Sequence, residues 1–283
     1  MIPSAPRGAL TAAVAAARAA GRLMRRHLAS AKTIQAQTQH DVKLELDHRC
    51  QRVIERKLLA ALPGSALLGE EGVAGDPESA WRWVVDPIDG TVNFAYGIPH
   101  SCVSIALEVR GGRGAGNQRA SRAPGSPSGD AGPFLTVLGV VYDPFNDELW
   151  TATRGHPARL NGKIIHVSTR RGLDQALISL GFGNTRTSLE HTLQAFTTLA
   201  YQVRKLRLMG SAGLAMTYVA CGRFDAFVEA GVRLWDIAAG GLILECAGGD
   251  FYRRPIAGEH VYEVNANNGR LRGPLARLLR PSG

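Results

Sequence analysis

Asp86-Pro87-Ile88-Asp89-Gly90-Thr91 closes the apolar run Trp81-Arg82-Trp83-Val84-Val85 and sets two carboxylates three residues apart at its end. The run reads as a β-strand that delivers Asp86 to a site, and Pro87 and Gly90 are residues that make a chain turn sharply. If Thr91-Val92-Asn93-Phe94 opens a short helix, the backbone N–H groups of Gly90 and Thr91 point outward as an anion site. Two carboxylates beside a phosphate repel it unless cations lie between them. The pattern therefore points to hard divalent ions and metal-assisted phosphate chemistry. Taken alone, the hexapeptide has a plain alternative, since Asp-Pro and Asp-Gly are ordinary turn formers.

Two further acidic junctions bear on that choice. Ala66-Leu67-Leu68 reads as a buried strand ending in Gly69-Glu70-Glu71-Gly72, again carboxylates at a strand end before a turn. Val232-Arg233-Leu234-Trp235-Asp236 leads into the apolar helical run Ile237-Ala238-Ala239-Gly240-Gly241-Leu242-Ile243-Leu244, with Asp236 expected at the N-cap. Capping alone would explain Asp236. Four acids from three strand-to-turn or strand-to-helix junctions instead match what a cluster of oxygen-ligated ions requires.

At these residues the chain resembles the inositol monophosphatase family of Mg-dependent, lithium-sensitive sugar phosphatases. The matching segments, in family order, are Gly69-Glu70-Glu71, Trp83 to Thr91 with Asn93-Phe94, Gly139-Val140-Val141-Tyr142-Asp143-Pro144, Asn161-Gly162, and Trp235-Asp236 followed by Ala247-Gly248-Gly249. They span most of the chain from about Asp41 onward. The resemblance implies a layered α-β-α-β-α sandwich of the α+β class, and two or three Mg ions as cofactor. Glu70, Asp86 and the Ile88 carbonyl would hold one ion; Asp86, Asp89 and Asp236 a second, with Asp86 bridging. It gives Thr91 and Asp47 the task of orienting and deprotonating the attacking water, and gives the phosphate to the Gly90 and Thr91 amides. Paired cations sharing a carboxylate would polarise the phosphoryl oxygens and activate that water, so no protein nucleophile is required.

The family segment Asp-x-Val-Thr-x-x-Asp here runs Asp41-Val42-Lys43-Leu44-Glu45-Leu46-Asp47, with leucine in place of the threonine. Leu44, Leu46, Val53, Ile54 and Leu58 also suit the apolar face of a helix whose charged face carries Asp47, Arg49 and Arg56. Glu229 lies seven residues before Asp236, where the family carries a glutamate that accepts from a substrate hydroxyl; an exposed acid after the strand Phe224 to Val228 is the alternative. Gly210-Ser211-Ala212 resembles the family turn whose backbone meets the substrate, while Ser211 is equally a good helix N-cap. Val92-Asn93-Phe94 after the motif is more like the inositol monophosphatase branch than the relatives that continue with lysine. A small phosphorylated polyol is the expected substrate. Fructose-1,6-bisphosphate, histidinol phosphate, adenosine 3',5'-bisphosphate and NADP are the alternatives within the enzyme class. An RNA- or protein-binding regulator with little catalysis is the alternative outside it.

The 283 residues, 45% of them hydrophobic, suffice for one domain spanning 1–283, with halves of about 1–150 and 151–283. The Ala-rich stretch from Leu10 to Leu28 is broken by Arg18, Arg22, Arg25 and Arg26, which disfavours a membrane span or leader; it reads as a surface helix packing by its alanine and leucine face. Cys50, Cys102, Cys221 and Cys246 contain no Cys-x-x-Cys pair, consistent with a reducing cytoplasm. The net charge of +9 favours anionic ligands, but no dedicated nucleic-acid module is recognisable. His40, His48 and His100 form no metal-spaced pair. Residues 111–133, rich in Gly, Ser, Pro and Arg, read as an inserted flexible loop where the family has a tight hairpin. Its Gly111-Gly112-Arg113-Gly114 is not followed by a helix and is discounted as a phosphate loop. The remaining periodicity predicts helices over 8–29, 45–61 and 189–203, and strands at 103–107, 137–142, 148–153, 164–167 and 176–180. No βαβ repeat is present, which excludes a Rossmann fold. A homodimer is expected from the resemblance.

Overall fold

The computed structural model describes residues 3–39, 42–111 and 134–278. The inserted segment of the sequence reading, apart from Gly111, lies outside the described residues, as do His40 and Asp41. Strands β1 (Ile34–Gln37) and β2 (Val42–Leu44) form a small antiparallel ribbon. The main sheet has eight strands: β3 (Ala66–Gly69), β4 (Gly72–Gly75), β5 (Trp81–Asp89), β6 (Cys102–Arg110), β7 (Phe134–Asp143), β8 (Glu148–Thr153), β9 (Arg159–Leu160) and β10 (Lys163–Ile164). Their order is β10-β9-β8-β7-β6-β5-β3-β4, antiparallel except for the β3/β5 pair. A second sheet of five strands contains β11 (Leu177–Leu180), β12 (Lys205–Arg207), β13 (Ala226–Arg233), β14 (Asp250–Pro255) and β15 (Val261–Asn267), ordered β12-β11-β13-β15-β14.

Five layers follow from where the apolar residues go. Helices α1 (Ala9–His27) and α2 (Glu45–Ala61) cover one face of the main sheet. After α3 (Thr91–Ala95) and α4 (Arg186–Ala200), α5 (Ala212–Ala220) and α6 (Leu234–Cys246) lie between the two sheets; α4 and α7 (Arg272–Leu278) cover the outer face of the second. Along β5, Trp83 and Val85 enter the core under α1 and α2, while Val84 enters the core shared with α5 and α6. Ile105 and Leu107 against Ala106 in β6, and Val140 against Val141 in β7, split in the same way. A strand covered on both faces needs apolar residues at every position, which is why these segments read as continuous hydrophobic runs. Helix α6 is buried from Ile237 through Leu244 on every side for the same reason. It approaches the sheet so closely that a Cβ on Gly139 would sit 2.7 Å from the Ala239 carbonyl oxygen.

Helix α1 packs through Ala9, Ala13, Ala16, Ala17, Ala20 and Met24, with half-buried Leu23 against the same core, whereas Leu10 is exposed. Three local expectations are corrected. The chain does not turn at Pro87: β5 continues to Asp89 through a register shift opposite β6, a place where a missing proline N–H costs no ladder bond. The turn falls at Gly90, with φ 88°. Of the strand expected at 164–167 only Ile164 pairs, at the end of β10 against β9. Helix α4 begins at Arg186, before the expected start, because Thr185 accepts from the Ser188 amide as its cap.

Candidate active site

The acids meet where α2, β3, β5 and α6 end beside one another. Asp47 sits in the first turn of α2 and is buried, 2% exposed. Its Oδ2 accepts from the Leu44 amide at 2.7 Å, so the aspartate caps its own helix. Leu44 occupies the cap position without a hydroxyl and is itself core. Oδ1 of Asp47 is buried with no hydrogen-bond partner among the described residues. Burial pushes the Asp47 carboxyl up to about 8, the Leu44 amide opposing and Glu70 and Glu71 adding to the rise. The position on a charged, open helix face expected as one alternative is thereby excluded.

Glu70 and Glu71 form the tight β3/β4 turn, with the Glu70 amide donating to the Val85 carbonyl of β5 at 3.1 Å. Gln51, one turn beyond Asp47 on α2, shapes that turn: its Oε1 accepts from the Glu71 amide at 3.0 Å and its Nε2 donates to the Gly72 carbonyl at 3.2 Å. Glu71 faces Lys43 at 3.4 Å and His48 at 3.2 Å. Sequence reasoning missed Gln51; the signal available was its i+4 spacing from Asp47, which puts both on one helical face.

Asp86 is 2% exposed and accepts from the Ile88 amide at 3.0 Å. Burial raises its carboxyl well above the ordinary range, and Glu70, Asp89, Asp236 and Asp47 each push it further. Asp89 is held by a clasp from the second half of the chain. Its Oδ2 accepts from the Ser211 hydroxyl, from the Gly213 amide at 2.8 Å and from the Cys102 thiol at 3.3 Å, and its Oδ1 accepts from the Ala212 amide at 3.3 Å. Burial raises Asp89 too, with these donors opposing. Ser211 is also the N-cap of α5, accepting from the Leu214 amide. Ser211 and Ala212, expected to meet substrate, thus engage Asp89 in this structure.

Asp236 is not the N-cap of α6. The helix starts at Leu234 with Arg233 at the N-cap position, and the Asp236 side chain reaches back to accept from the Arg233 amide at 2.8 Å. Ser104 of β6 fixes that start by donating to the Trp235 carbonyl at 3.0 Å. Burial, then Asp89 and Glu70, raise Asp236 well above its usual value. Glu229 lies within β13, not beyond it, against Gly181; burial and Asp89 push its carboxyl up to about 8.

The remaining residues of the motif lie at the β5/α3 junction. The Thr91 hydroxyl donates to the Ile88 carbonyl at 2.8 Å. Gly90 has space for nothing larger, since a Cβ there would lie 3.0 Å from both the Gly210 and His100 carbonyl oxygens. Asn93 ties the junction together by donating to the His100 carbonyl at 2.9 Å and the Met209 carbonyl at 2.7 Å.

Five carboxylates therefore share one electrostatic neighbourhood, and each destabilises the charge on the next. Among the described residues, however, no three Asp, Glu, His or Cys side chains are arranged to hold an ion. The orientations explain this: Asp86, Asp89 and Asp236 are turned onto backbone or side-chain donors. The donor set is nonetheless all oxygen and all acidic, and Asp47 keeps a buried oxygen unused. It fits a hard divalent cation, whose charge would offset the mutual repulsion, and does not fit zinc or copper, which prefer nitrogen or sulfur.

Five alternating layers with an acid cluster at the seam define the class of layered sugar-phosphatase folds. The chain belongs to the inositol monophosphatase family, whose sequence profile matches residues 7–116 and 135–277 and passes over most of the inserted segment. The Nus factor SuhB of Xylella fastidiosa is 38% identical over 282 residues, 95% of this chain and 94% of that protein. Inositol monophosphatase 1 of Solanum lycopersicum is 37% identical over 85% of this chain and 82% of its own length. The crystal structure of extragenic suppressor protein suhB from Bartonella henselae superposes with a TM-score of 0.81 at 31% identity, covering 96% of this chain and 98% of that one.

Proposed function

We propose that this protein is a Mg-dependent phosphomonoesterase acting on inositol monophosphate or a similar small polyol phosphate. One observation carries the reading: Asp86 is buried within the field of Glu70, Asp89, Asp236 and Asp47, an arrangement that costs folding free energy and that bound cations would relieve. Glu70, Asp86 and the Ile88 carbonyl would hold one ion and Asp86, Asp89 and Asp236 another. Those ions would lower the pKa of a bound water and offset charge on the leaving oxygen. Thr91, already donating to Ile88, keeps lone pairs to orient the water, and Asp47, whose buried oxygen has no other partner, would take its proton. The Gly90 and Thr91 amides would bind phosphate. Glu229 would accept from a polyol hydroxyl. The whole chain acts as one unit, because Asp89 from the first half is clasped by α5 of the second. A cytoplasmic homodimer is the assembly proposed.

The test is phosphate release from inositol monophosphate, fructose-1,6-bisphosphate, histidinol phosphate, adenosine 3',5'-bisphosphate and NADP, with and without Mg and with lithium. Mg-dependent, lithium-inhibited release from the polyol ester is expected; silence across the panel with Mg present overturns the enzyme reading. A second reading, a regulatory binding protein with little catalysis, is favoured by the relative named a Nus factor at 38% identity across 95% of the chain.

A further inference from the structure

Helices α1 and α2 are 36 of the 283 residues, yet they contribute five of the nine net positive charges. Arg22, Arg25 and Arg26 on α1 and Arg52 and Arg56 on α2 are exposed, and Arg49 is half-buried. Among the described residues none of these six makes an ion pair or a hydrogen bond; of the α1 arginines only Arg18 does, with Asp147. Several other arginines are neutralised, as in the pairs Arg154–Glu245, Arg223–Glu148 and Arg254–Glu263. Arg49, Arg52 and Arg56 follow one another at about one turn of helix, and with Leu23 and Val53 they line a groove of about 280 Å³ between α1 and α2. Arg22 and Arg26 lie one turn apart on α1, flanking Leu23.

We propose that this groove is a binding surface for the phosphodiester backbone of single-stranded RNA. Three features select that partner. Guanidinium forks recognise phosphate in pairs of hydrogen bonds, and arginine supplies every charge lining the groove. A protein partner would need an aromatic or large apolar anchor, and the groove offers only Leu23 and Val53. Guanidinium planes can stack on unpaired bases, which a duplex hides. No aromatic and no amide side chain lines the groove, so binding is indifferent to base sequence. The neighbouring cavity of about 190 Å³, lined by His48, Arg52, Glu55 and Glu71 among others, is partly acidic and would repel the same chain.

The surface would serve the binding reading given above, and its test separates the two. Anisotropy of a labelled oligouridylate is measured with the full chain in EDTA across ionic strengths from about 50 to about 200 mM. Each phosphate contact contributes about −0.7 to the slope of log affinity against log salt for a single strand. R22Q/R52Q/R56Q should therefore reduce the slope by about 2 and weaken low-salt binding at least tenfold. The single substitution R56Q should remove about 0.7 and serves if the triple variant is unstable. R204Q/K205Q/R207Q, on the basic run of β12, should leave the slope unchanged. No binding by the wild-type chain ends both this proposal and an RNA-binding role. Wild-type binding with an unaltered slope in the α1/α2 variants, or an equal loss in the β12 variant, overturns this surface alone. Equal competition by polyglutamate at matched charge reassigns the groove to an acidic protein and also overturns it.

Discussion

Replacing Glu229 by glutamine removes one buried charge while keeping the shape of the side chain, and its effect on stability has a sign that depends on pH. The carboxyl is raised from the ordinary 4.5 to about 8, first by burial and then by Asp89. A raised acid holds its proton longer in the folded chain than in the unfolded one. Its contribution is fully present below pH 4.5 and is lost progressively as pH climbs toward 8. At about 1.4 kcal/mol for each tenfold in the proton equilibrium, the full displacement is on the order of 5 kcal/mol; residual solvent contact reduces this to roughly 2. Equilibrium urea unfolding in EDTA, with wild type and Glu229→Gln compared between about pH 5 and about pH 8, reads the difference directly. The two should be of similar stability at the acid end. The variant should gain roughly 2 kcal/mol at the alkaline end, or about 4 °C in melting temperature for a chain of this size. Asp47 and Asp86 respond to pH with the same sign and are common to both proteins, whereas Asp236, which Glu229 helps to raise, is relieved in the variant and adds to its gain at the alkaline end. Parallel stability curves across that window would refute the placement of Glu229 in the acid field. If Glu229 also reads a substrate hydroxyl, the same variant raises KM for the polyol ester more than it lowers kcat.

Asp86→Asn preserves the acceptor for the Ile88 amide, so the circular dichroism spectrum should be unchanged while Mg-dependent phosphate release falls by at least about a thousandfold. Wild type should melt several degrees higher when Mg is titrated in, and Asp86→Asn should show little of that gain; differential scanning fluorimetry reads both. Ser211→Ala deletes one donor of the Asp89 clasp and should weaken that Mg-induced stabilisation without unfolding α5, whose amides at Ala212 and Gly213 still hold the carboxylate. Gly139→Ala drives a methyl into the Ala239 backbone and should cost about 1–3 kcal/mol in chemical denaturation.

Much of the architecture is legible along the chain because it is written in short-range period. The doubly covered strands β5 to β7 show as unbroken apolar runs, and α2 starts and stops where its pattern does, at Glu45 and Ala61. The β3 and β5 ends carry their acids at the positions expected. Element edges moved where a capping bond or a pairing partner intervened: Thr185 extended α4 backward, and β6 pairs on both sides of the unpaired Pro87, carrying β5 on to Asp89. Such bonds involve one or two residues and leave no periodic trace.

By itself the order of residues determined which acids lie at strand ends, the family motifs around Asp86 to Thr91, and the charge carried by α1 and α2. Only the tertiary structure decided that Asp47 is interior, that Asp236 reaches back to the Arg233 amide, and that Ser211, Ala212 and Gly213 grip an aspartate more than a hundred positions earlier. The reason is range: turn and strand preferences act over a few residues. The desolvation and mutual repulsion that shift these carboxyls arise from neighbours brought together by packing the two sheets around α5 and α6.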